Sequence, residues 1–178
     1  MKILVVSDSF KGSMTSKEVG MTICDYYQNH HLEATYLPIS DGGEGFLDAI
    51  NDSFQLEKQQ MQVEDANFNY TESAYIIDQK NKIAYLELAQ SIGLAKLDKN
   101  KLNASSFGFG HLIKEIILKY QIKKIIIGIG GSATSDLGCG MLEALGVEFI
   151  DKDGFLIKKM CNAKLMKVRK VKTKAFEK

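Results

Sequence analysis

The chain has 178 residues, 45% of them hydrophobic and 25% charged, with a formal net charge of +1. That is the composition of one or two small globular domains, and the near-neutral charge gives no global reason to expect nucleic acid or a membrane surface as a partner. No apolar run approaches the ~20 residues a bilayer-spanning helix needs, and the opening MKILVV is too short for a signal-peptide core.

The first predicted element is a strand over 2–7, KILVVS, whose continuous apolar character suits a buried parallel sheet. Residues 14–30 follow as a helix: Val19, Ile23, Tyr26 and Tyr27 fall at helical spacing, with Thr15 or Ser16 as the cap. His30 and His31 close that helix, where cations suit the dipole, and read as structural. A second strand is expected over 33–38, then a loop, 40–45, entering a helix through Phe46, Leu47 and Ile50. This β-α-β-α start predicts a doubly wound α/β segment with its site at the carboxyl ends of the strands.

The rhythm changes near residue 54. Strand-like stretches at 58–64, 71–78 and 82–88 are separated by turn signals at 67–69 and 79–81, with no helix-length pattern between them. They predict an antiparallel meander and a second domain or insertion beginning in the fifties. A helix at 106–120, a strand at 124–127, a glycine-rich loop at 128–134, a helix at 136–145 and a short strand at 147–150 complete the pattern. From Asp151 the chain turns basic and reads as a solvated stretch. Cys24, Cys139 and Cys161 are odd in number and widely spaced, which fits reduced thiols in a cytoplasm.

Four loops carry candidate chemistry. Asp8-Ser9-Phe10-Lys11-Gly12-Ser13 follows the first strand and offers an acid, a cation and hydroxyls for a phosphate or its metal, or else a capped turn. Ser40-Asp41-Gly42-Gly43-Glu44-Gly45 occupies the equivalent place after the second strand. Its glycines allow close backbone approach, and Asp41 with Glu44 suits Mg²⁺ or proton transfer, or helix capping. The run from Gly128 to Gly140 follows a strand and opens a helix, the setting of a phosphate cradle, yet lacks a Walker lysine. Gly128, Gly130 and Ala133 also match the dinucleotide fingerprint, with Glu148 at the distance of a ribose-binding acid, so an NAD(P)-binding oxidoreductase on GIGGSA is a rival reading. The fourth loop, 105–111, precedes a helix in the same way and reads as an N-cap with His111 near the exposed start. Glu87 is a carboxylate in an apolar stretch, either functional or turned to solvent.

Taken together, 8–13, Asp41 to Gly45, Glu87-Leu88-Ala89 with Gly93-Leu94, 106–110 and Gly128 to Gly140 resemble, in order and spacing, the bacterial glycerate kinase family, which phosphorylates D-glycerate with ATP. The resemblance implies an incomplete α/β fold. A flavodoxin-like parallel-sheet segment, residues 1–55, opens a discontinuous domain, and 56–178 begin an inserted, restriction-endonuclease-like domain with a mixed sheet. It also implies the amino-terminal part only of a longer cytoplasmic enzyme, with 2-phosphoglycerate as product, so that a catalytically inactive fragment is a further alternative. ATP and Mg²⁺ would be the cofactors and D-glycerate the partner, with neither nucleic acid nor membrane involved.

On this reading Lys11, Asp41 and Asp136 are the catalytic candidates. Asp8, Ser9, Ser13, Gly42, Gly43, Glu44, Ser106, Gly130, Gly131, Ser132 and Thr134 would bind substrate and nucleotide, and Asp41 with Glu44 would hold the metal. Lys11 and the amides of 130–134 would neutralise phosphate oxygens. The chain departs from the family where Ser106 and Phe109 replace a common Thr, and His111 a common acid or amide.

Overall fold

A computed structural model of the chain describes residues 1–10, 13–94 and 101–173. Strand β1 (Lys2–Val5) pairs in parallel with β2 (Glu33–Tyr36), in the register Lys2 to Glu33 through Val5 to Tyr36. Helix α1 (Ser16–Asn29) connects them. Its start is fixed by a capping box: Thr15 accepts the Glu18 amide at 3.2 Å, and the Glu18 carboxylate accepts the Thr15 amide at 2.7 Å. One face of the pair packs Ile3, Val5, Ala34 and Tyr36 against Cys24 and Tyr27 of α1.

Helix α2 (Phe46–Phe54) follows in sequence but packs elsewhere. Its Leu47, fully buried, joins Ala74, Ile76 and Tyr85 on one face of a four-stranded sheet. That sheet has the order β3 (Lys58–Glu64), β4 (Tyr70–Asp78), β5 (Ile83–Glu87), β6 (Lys124–Gly128). The expected meander is present: β3, β4 and β5 are antiparallel neighbours, and β6 then pairs in parallel with β5. The crossover carries α3 (Leu88–Ile92), a 3-10 turn (Lys101–Asn103) and α4 (Phe107–Lys119).

The opposite face of this sheet packs Val63, Tyr75, Ile77, Ala84 and Leu86 against Phe109, Leu112, Ile113 and Ile116 of α4. Successive residues of β4 and β5 thus point to opposite, equally covered faces, which is why both strands read as continuous apolar runs.

Two expectations are revised. Helix α5 (Cys139–Ala144) starts later than 136, because Leu137 and Gly138 lie in the left-handed region and form a turn. The basic stretch after Asp151 is not simply solvated. Strands β8 (Leu156–Ile157) and β9 (Lys170–Lys172) flank β7 (Glu148–Ile150) in a three-stranded antiparallel sheet. Met160 is fully buried there with Val147 and Phe149, and the lysines project around that small core.

Candidate active site

Loops that follow β1, β2, β5 and β6 meet at one cleft. Asp8 and Ser9 come from the first, Asp41, Gly43 and Glu44 from the second, Glu87, Ala89, Gln90, Gly93 and Leu94 from the third, and Gly130 and Gly131 from the fourth. The cavity holds about 490 Å³, within the size range of small-molecule sites. A second cleft of about 530 Å³ lies between the amino ends of α1 and α2 and includes Ser13. The two share Asp8, Ser9, Glu44 and Gln90 as a common wall.

The second and fourth of these loops touch through their backbones. The Gly130 amide donates to the Gly42 carbonyl at 2.8 Å. A Cβ on Gly130 would collide with the Gly43 Cα, so no other residue fits without moving one loop. Asp41 folds its own loop, its carboxylate accepting the Gly43 amide at 2.7 Å, and Ser40 accepts the Gly42 amide at 3.1 Å. Asp8 accepts the Ser9 amide at 2.7 Å. Asp8, Asp41 and Glu44 are all exposed at the opening.

The 128–134 loop is largely committed to the protein itself. Besides Gly130, the Ala133 amide donates to the Ile92 carbonyl at 2.9 Å and the Thr134 amide to Ser132 Oγ at 3.2 Å. The hydroxyls of Ser132 and Thr134 lie 3.1 Å apart. The dinucleotide reading loses its geometry here. Gly130 makes room for another loop, and β7 is no neighbour of β6 but lies in the separate small sheet. Glu148, exposed on β7, pairs with Lys172 at 3.5 Å.

Asp136 and Ser106 are placed together, apart from this lining. The Asp136 side chain is 1% exposed. One of its oxygens accepts the Ser106 amide and hydroxyl, both at 2.8 Å, and the Gly140 amide at 3.1 Å. The other accepts the Gly138 amide at 3.1 Å. This carboxylate accepts from donors at two helix starts and so ties them together. Beside it, burial and the Asp136 charge push the Cys139 thiol above its usual pKa. The rest of 105–111 is likewise packing: a Cβ on Gly108 would overlap the Glu64 carbonyl, and His111 pairs with Glu64 at 2.8 Å. Lys11 lies outside the described residues.

Glu87 does not turn to solvent. It is fully buried at the end of β5, one wall of the cleft. Gln90, which the sequence reading passed over, stands on both clefts; its position one turn after a strand-end carboxylate was the available signal.

Comparison with known proteins follows the same outline. A model of the glycerate kinase family matches residues 3–178. The chain is 36% identical over 178 residues to a glycerate kinase from Neisseria meningitidis serogroup B, covering 97% of this chain and 47% of that protein. It is 35% identical over 159 residues to glycerate 2-kinase from Escherichia coli K12, covering 86% of this chain and 42% of that protein. A crystal structure from Salmonella typhimurium LT2, described as a glycerate kinase 2, superimposes with a TM-score of 0.82 at 30% identity, covering 98% of this chain and 48% of that one. The chain therefore spans about half the length of the curated relatives it matches.

Proposed function

The chain belongs to the glycerate kinase family, and we propose that its four-loop cleft is a phosphoryl-transfer site which, in the whole protein, passes the terminal phosphoryl group of ATP to D-glycerate, giving 2-phosphoglycerate. The observation that carries this reading is the convergence of the loops after β1, β2, β5 and β6 on one cavity. Phosphoryl transfer asks for positioning and charge neutralisation more than for covalent chemistry, and separate loops at strand ends are suited to both. We place a domain boundary near residue 55 and the enzyme in the cytoplasm. Among the described residues no helix is long and apolar enough to cross a membrane.

The residues fit a nucleotide and its metal. Mg²⁺ keeps several waters and takes one or two carboxylates together with substrate phosphates. Asp41 and Glu44 stand exposed on the cleft and would supply those carboxylates; no group of three or more candidate metal ligands occurs among the described residues. The bound metal would supply neutralisation of polyphosphate charge. Of the chain's own groups, Asp41 or Glu44 would take the substrate hydroxyl proton, and Asp8, Ser9 and Ser13 would orient the substrates. Lys11 would balance phosphate charge. In the 128–134 loop that task falls to Gly131 and the Ser132 and Thr134 hydroxyls, since the Gly130, Ala133 and Thr134 amides are spent on the protein. Asp136 and Ser106 hold the fold behind the site.

The test is ATP-consuming turnover with D-glycerate, measured on the chain extended to the length of its relatives. We expect 2-phosphoglycerate and ADP in equal amounts, and Lys11→Ala to lower kcat by about two to three orders of magnitude, the scale of a lost charge stabiliser. An extended protein that leaves ATP intact in the presence of D-glycerate overturns the reading.

A further inference from the structure

Helix α2 begins without a local side-chain cap. Gly45 precedes it in the left-handed region and offers no side chain to the free amides of the first turn. The missing acceptor comes from forty residues away. Glu87 Oε2 accepts the Leu47 amide at 3.0 Å, and Oε1 accepts the Gln90 side-chain amide at 3.0 Å. Among the described residues no basic side chain pairs with Glu87. A fully buried carboxylate needs compensation; here a helix amino terminus, with its partial positive charge, and one amide supply it. Leu47 is itself fully buried against the four-stranded sheet, so this hydrogen bond sits on the anchor of α2.

We propose that Glu87 is a positioning residue: by capping α2 from the end of β5 it fixes the 41–45 loop against the 128–131 loop and sets the Asp41 and Glu44 carboxylates at the mouth of the cleft. The register supports this. Glu87 is the β5 partner of Gly128, the residue that opens the fourth loop. A Cβ on Gly128 would meet the Gly42 carbonyl at 2.7 Å and the Phe46 ring at 2.9 Å. Glu87 and Gly128 thus hold the entry to α2 from adjacent strands. The same carboxylate holds Gln90 on the wall shared by both clefts. The assignment rests on the phosphoryl-transfer reading for its purpose, but not for its geometry.

Amide exchange in the 178-residue chain, followed by NMR, tests the geometry without any activity. Glu87→Ala should speed exchange at Leu47 and at Gly130 by about tenfold or more, the loss of a charge-assisted hydrogen bond, while the β6 amides of 125–127 keep their protection. Glu87→Gln retains an acceptor of the same length and should restore most of the protection at both amides. In the extended protein Glu87→Ala should lower kcat by about tenfold or more with KM for ATP little changed, the mark of misplaced rather than missing groups, and Glu87→Gln should recover most of it. Unchanged exchange at Leu47 and Gly130 in Glu87→Ala overturns the proposal. So does equal loss of protection throughout β6, which marks a general core residue. A Glu87→Gln variant that protects Leu47 yet is as inactive as Glu87→Ala also overturns it, since the charge itself would then act in the reaction. Absence of turnover in the unmodified protein strikes the functional reading alone and leaves the exchange result to decide the role of Glu87.

Discussion

At the scale of single residues, four acidic side chains in glycine-rich loops divide between the cleft and the interior. Asp8, Asp41 and Glu44 stand on the cleft. Asp136 carries the same carboxylate in an equally glycine-rich run, yet donors from Ser106, thirty positions earlier, surround it. No local pattern records such a partner. Removing it should therefore cost stability before chemistry. Asp136→Ala strands the Ser106 and Gly140 amides in a buried setting, and breaking a buried, charge-assisted network costs about 3–5 kcal/mol. For a chain of this size that corresponds to a fall in Tm of about 6–20 °C. Thermal unfolding followed by circular dichroism checks it. An unaltered midpoint would show that the clamp carries no weight and would reopen a chemical role for the side chain.

At the scale of elements, periodicity found most of the fold. The stretch 58–64 matches β3, and the long apolar runs of β4 and β5 mark strands covered on both faces. The tail was missed because its apolar residues are few and far apart: Met160, Leu165 and Val168 close the small core only once β7 lies between β8 and β9. The loops show the same limit. GIGGSA fits a dinucleotide fingerprint residue for residue, but its second glycine answers to the backbone of another loop. Gly130→Ala measures that contact. The added methyl group must push the Gly43 backbone away, at about 1–3 kcal/mol for overpacking, and should also cost the hydrogen bond to Gly42. We expect a lower urea midpoint with an unchanged m-value, and weaker Mg·ATP binding in the extended protein. A neutral substitution would mean that the two loops are not held in contact.

At the scale of the whole molecule, the two sheets that border the cleft are unequally supported. The four-stranded sheet has α2 on one face and α4 on the other. The β1–β2 pair has α1 on one face only. On the other, Leu4 is 63% exposed, and Val6 and Leu37, just past the strand ends, are exposed as well. Among the described residues both strands also keep an open edge, since each pairs only with the other. An uncovered apolar face and free strand edges promote association between chains, and two strands alone are marginally stable. The 178-residue polypeptide should therefore open locally at β1 well before the larger sheet does. Amides at 3–5 should exchange faster than those at 125–127 by about two orders of magnitude or more, because local opening and global unfolding differ by several kcal/mol. The same chain should associate as concentration rises, with light scattering increasing while the far-UV spectrum stays constant. Because Asp8 and Ser9 follow β1, their side of the cleft would be its mobile wall, and glycerate phosphorylation by this polypeptide alone should fall below detection. Equal protection of β1 and β6 in a monomeric sample would contradict this account, and robust turnover by the 178-residue chain would do so more directly.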